Sequence, residues 1–169
     1  MAGMSKSIED FLKDWGQERT ATAKVMGNLT DASLAQRVSP EGRTLGFLAW
    51  HVVLTLAEMG GKAGLHVDGP AEDAPAPGRA ATIASDYEKA SASVEKAVRA
   101  QWTDAMLGDS LQLYGSTWTR SAVLDSLIRH QIHHRGQMTV LMRQAGLPVP
   151  GIYGPAREEW AKMGMKPMP

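Results

Sequence analysis

Five histidines stand out among the residues able to do chemistry: His51, His66, His130, His133 and His134. Three of them fall in one run, Arg129-His130-Gln131-Ile132-His133-His134-Arg135-Gly136-Gln137. Residues four apart stack on one face of a helix. Within a helix, His130 and His134 therefore offer two imidazole nitrogens to one point, the spacing used by helical metal sites. The apolar stripe of Leu124, Leu127, Met138, Leu141, Met142 and Ala145 sets the direction of the core. At about 100° per residue, His134 lies about 35° from the centre of that stripe, His130 about 75° and His133 about 135°. His134 thus points inward, His130 sits at the edge and His133 points outward, which favours His130 and His134 as ligands.

Two ligands bind an ion weakly, and His51 is the candidate for a third. It sits among Leu48, Trp50, Val52 and Leu54, with Thr55 and Glu58 on its own face. A buried imidazole is costly unless it is hydrogen-bonded or bound to metal. Taken alone, a histidine in an apolar helix such as His51 is more often a satisfied core residue than a ligand, and an isolated His-x-x-x-His is often incidental. Three histidines from two helices would leave a coordination position open, the pattern of a catalytic rather than a structural site. Neutral imidazole suits zinc, nickel, copper and iron, and spacing does not choose among them. The expected cofactor is a divalent metal ion, zinc or nickel first, with iron or manganese as alternatives. His66 lies beyond Gly60-Gly61 and is expected in a loop.

The elements that must position these residues are helices. Ile8, Phe11, Leu12, Trp15, Val25, Met26 and Leu29 recur at helical spacing, with Ser7 as cap. A second helix is expected from about Thr44 to Met59, stopped by Gly60-Gly61. Gly69 to Gly78, with three prolines, reads as a linker. A third helix begins near Thr82 and carries Ile83, Tyr87, Ala90, Val94 and Ala97 on one face. Between Trp102 and Trp118 the pattern weakens, with Leu111 to Tyr114 as a short extended piece. A fourth helix runs from about Thr119 to Ala145, and Gly136 within it suggests close helix packing. A short extra helix is expected in the tail from Pro155, carrying Arg157 to Lys162. Four long amphipathic helices make an all-α four-helix bundle, one domain over residues 1–169.

Composition narrows the function classes. The 169 residues suffice for one core, and 43% hydrophobic with 21% charged residues is ordinary for a globular protein. Lysine plus arginine equal aspartate plus glutamate at 18 each, so there is no basic footprint for nucleic acid. No cysteine is present, which excludes disulfides, thiolate metal sites and a cysteine nucleophile. The stretch Leu45 to Ala57 is far short of the roughly 20 residues of a membrane span. Met1 to Lys13 lacks the apolar core of a signal peptide. The expectation is a cytoplasmic protein with neither nucleic-acid nor membrane partners.

His130-x-x-x-His134-Arg135-Gly136-Gln137 resembles the helix motif of the DinB/YfiT-like superfamily. Leu45-Gly46-Phe47-Leu48-Ala49-Trp50-His51 resembles the helix that carries the first ligand there. Arg143 to Pro150, followed by Ile152-Tyr153-Gly154, resembles the ending after the last bundle helix. The resemblance covers most of the chain. It implies a four-helix bundle, a divalent metal held by His51, His130 and His134, and a homodimer. It also implies a small-molecule substrate, with a low-molecular-weight thiol as cosubstrate in some relatives and hydrolysis in others.

Two functional classes follow. An enzyme would use a metal with an open position to activate water or a thiol cosubstrate, as a hydrolase or a thiol S-transferase. The alternative is a non-catalytic metal-binding or stress-response interaction protein. Glu58 is a candidate general base, though a solvated charge at a helix end is the simpler expectation. Tyr114 and Tyr153 are candidate polar wall residues. Arg135 and Gln131 would either anchor an anionic substrate or bond to neighbouring helices.

Overall fold

The computed structural model describes residues 6–166. The ends of the expected 1–169 span, residues 1–5 and 167–169, lie outside the described residues. Four long helices form the body: α1 (Ile8–Met26), α2 (Leu45–Lys62), α3 (Ala80–Gln101) and α4 (Arg120–Gln144). Between α3 and α4 lies a small hairpin, β1 (Ser110–Leu113) and β2 (Ser116–Thr119), and the tail adds the short helix α5 (Arg157–Trp160). The expected all-α four-helix bundle with a short C-terminal helix is the observed architecture.

Helix starts follow side-chain capping. Ser7 accepts from the Asp10 amide at 3.0 Å, Thr44 from Phe47 at 3.0 Å and Thr119 from Ala122 at 3.1 Å. The α3 start is capped from outside: the Ala80 amide donates to Asp31 at 2.8 Å. Helices α1 and α2 each pack on both α3 and α4, so α1 and α2 stand diagonally across the bundle. The centre is filled by Phe11, Trp15, Leu56, Tyr87, Leu127 and Met138, each almost fully buried. The Trp15 indole donates to the Ser91 carbonyl at 3.0 Å, and Trp50 donates to Ala74 at 2.8 Å, pinning the proline-rich linker onto α2.

Three local expectations change. Helix α2 runs through Gly60-Gly61 to Lys62 and ends where Gly64 takes a left-handed φ of +84°. Gly60 serves packing instead: a Cβ there would lie 2.7 Å from Val67 Cγ2. Gly136 does the reverse, because it is exposed and a Cβ there would meet nothing within 4 Å. The extended piece near Leu111 is one strand of an antiparallel hairpin, with Leu113 opposite Ser116. Its two-residue turn is Tyr114-Gly115, with φ of 50° and 73°. Positive φ at both positions defines a type I′ turn, which asparagine followed by glycine fits best.

Candidate metal centre

His51 sits mid-way along α2, and His130 and His134 lie one turn apart on the facing side of α4. One ligand atom from each of the three lies within 4.8 Å of the other two. The Nε2 atoms of His51 and His130 are 3.1 Å apart. Two zinc–nitrogen bonds of about 2.0–2.1 Å at a tetrahedral angle hold their nitrogens about 3.3 Å apart, so this spacing fits a shared ion. The angular argument also holds: His134 is buried, His130 is half-buried and His133 is exposed. His66 is exposed in the segment after α2, 3.8 Å from Asp68.

Two rings are oriented from behind. The Thr55 hydroxyl donates to the His51 carbonyl at 2.8 Å and lies 3.3 Å from His130 Nδ1. With its hydrogen committed, Thr55 offers His130 a lone pair, so His130 carries its proton on Nδ1. His134 Nδ1 lies 2.7 Å from Gln137 Oε1, again an acceptor. Both arrangements leave the Nε2 lone pair free for an ion, as hydrogen bonds behind metal-binding histidines do. Burial and the neighbouring imidazoles hold His130 down at about 4. His51 and His134 are also lowered, chiefly by burial. All three are thus neutral ligands at neutral pH. Their residue types, convergence and orientation together fit a divalent cation.

A cavity of about 470 Å³ opens beside the cluster, lined by His51, Thr55, Glu58, Glu72, Tyr114 and His130, among others. Glu58 is not the solvated charge expected at a helix end. Its side chain is only 10% exposed, and its carboxylate accepts from Tyr114 and pairs with Lys62. Tyr114 is a wall residue, as expected. Tyr153 belongs elsewhere: its hydroxyl meets Glu18 and Arg135 on the α1 side of α4. Arg135 and Gln131 likewise bond between helices. Arg135 donates to Glu18 at 2.6 Å and Thr22 at 3.0 Å, and Gln131 accepts from Thr22 and Tyr87.

The orienting roles of Thr55 and Gln137 were not assigned from sequence. The signal was present as spacing, since Thr55 follows His51 by four and Gln137 follows His134 by three. On the other flank, Phe47 stacks on His51 at 5.9 Å and Arg43 lies over the Phe47 ring at 5.1 Å.

Fold and site together define a four-helix bundle with three histidines from its second and fourth helices gathered at one point. The chain belongs to the DinB family, whose family model matches residues 4–167. It is 47% identical over 163 residues to the YrdA protein of Bacillus subtilis (strain 168), covering 96% of this chain and 98% of that one. The crystal structure of a DinB-like protein from Bacillus cereus ATCC 10987 superposes with a TM-score of 0.85 at 44% identity, over 89% of this chain and all of the other. A DinB-like protein of Bacillus subtilis, YjoA, shares the fold at 17% identity with a TM-score of 0.63, over 80% of this chain and 91% of its own. Among the described residues, no helix is long and apolar enough to cross a membrane.

Proposed function

We propose that this protein is a metal-dependent enzyme that holds one divalent ion with His51, His130 and His134. It acts on a small-molecule substrate, with water or a thiol cosubstrate as the nucleophile. The observation that carries this reading is the convergence of the three ring nitrogens, with two rings held from behind by Thr55 and Gln137. Among the described residues no fourth histidine, cysteine or carboxylate joins the group, which fits an open, catalytic site better than a closed, structural one.

An ion held there supplies Lewis-acid chemistry that acidifies water or a thiol. The chain's own residues do the rest. Burial keeps the imidazoles neutral, and Thr55 and Gln137 fix their tautomers. The cavity next to His51 and His130 admits the substrate. Because the chain has no cysteine, any thiol must enter with the substrates.

The test is metal content per chain, measured by mass spectrometry on untagged protein beside a His130→Ala/His134→Ala variant. About one equivalent in the parent and none in the variant is expected for a three-histidine site. A parent that takes up no zinc, nickel, iron or manganese on reconstitution would overturn the reading.

A further inference from the structure

Tyr114 is out of place by the rules of its own turn. Among the described residues it is the one non-glycine with a positive φ. A left-handed backbone is unfavourable for a residue with a Cβ, and bulky side chains are found there rarely. Such strain persists where the surrounding structure imposes it, and it clusters at functional sites. What the turn achieves is a placement. The phenol oxygen lies 2.9 and 2.7 Å from the two oxygens of Glu58, a residue 56 positions away.

Glu58 in turn follows His51 by seven residues, two turns along the same helix face. Its carboxylate lines the cavity shared with His51 and His130. Lys62 grips the carboxylate from the next turn. Among the lining residues the other carboxylate is Glu72, whose side chain is 67% exposed. One largely shielded carboxylate therefore faces the cavity, and it is fixed from two sides.

We propose that Glu58 is the proton acceptor for the nucleophile bound in this cavity, and that Tyr114 is the positioning residue that aims it. The proposal rests on the metal-site reading above. In the step, the O–H or S–H bond of the nucleophile breaks and its electron pair stays on oxygen or sulfur. The proton passes to a Glu58 oxygen, giving the carboxylic acid. Tyr114 stays a donor throughout, since burial and the bond to Glu58 push its phenol up.

The test uses zinc-loaded protein and acetohydroxamic acid, a small probe that must lose its N–O–H proton to bind an ion. Titration calorimetry in buffers of different ionisation enthalpy counts the protons released to solvent. In the parent the proton stays on Glu58 and release is near zero. Glu58→Gln should release about one proton per probe and bind about tenfold more weakly. Tyr114→Phe keeps the turn and removes only the hydroxyl, so it should weaken the probe and release part of a proton while zinc affinity is unchanged. Unchanged proton release in Glu58→Gln overturns the proposal, as does transfer of the effect to Glu72→Gln. Zinc uptake with no probe binding by the parent also overturns it. Failure of the parent to take up zinc overturns instead the reading on which the proposal rests.

Discussion

At the scale of single residues, the three clustered imidazoles carry a pH signature. In the metal-free protein the unfolded chain takes up protons at the ordinary value of 6.5, while the folded His130 waits until about 4 and the other two are also lowered. Between those values the unfolded state binds more protons. The contribution of these imidazoles to stability is therefore fully present above 6.5 and is lost as pH falls toward about 4. Urea midpoints of the metal-free protein should fall across that window and fall less in His130→Ala. A profile as steep in the variant as in the parent would mean that other groups carry the effect. These three residues were legible in the sequence because a helix has one period. Position on the apolar stripe separates His134 and His130 from His133. Glu58 was legible as a candidate base but not as a shielded one, since its contact with Tyr114 depends on a hairpin far along the chain.

At the scale of elements, the glycines show where local pattern misleads. Gly60-Gly61 looks like a helix stop, yet both lie inside α2, and the turn that ends it falls at Gly64. What sequence could not show was Val67 folding back onto Gly60. Gly136 looks like a packing glycine, yet nothing approaches it. Thermal unfolding should separate the two. Gly136→Ala should gain about 0.5–1 kcal/mol, because the helix loses a flexible residue and meets no neighbour. Gly60→Ala should lose about 1–3 kcal/mol, because the new methyl runs into a packed valine. Equal effects at the two sites would contradict the packing described for α2. The hairpin was half-visible: Leu111 to Tyr114 pointed to extended chain, but a tyrosine is an unusual choice for a left-handed turn and gave no turn signal.

At the scale of the whole molecule, α4 works on two faces. One face presents His130 and His134 to α2. The other sends Arg135 to Glu18 and Thr22 on α1 and to Tyr153 in the tail. The Arg135 and Glu18 side chains are 3% and 11% exposed, so neither charge has much water to fall back on. Glu18→Ala should cost about 3–5 kcal/mol, since it strands the guanidinium. Glu18→Ala combined with Arg135→Met should recover part of that loss, as read from denaturant midpoints. A single variant as stable as the parent would show that the pair contributes nothing to the assembly. The division between faces was legible only in part, because sequence offered Arg135 equally as a substrate anchor. The two-faced helix has a further consequence for chain topology. His51 and His130 are 79 positions apart, and an ion gripped by both would close a loop of that length. In a chain without cysteine, that ion would do the work of a disulfide, worth on the order of 4 kcal/mol by loop entropy. Unlike a disulfide, this cross-link would open with acid or a chelator rather than with a reductant.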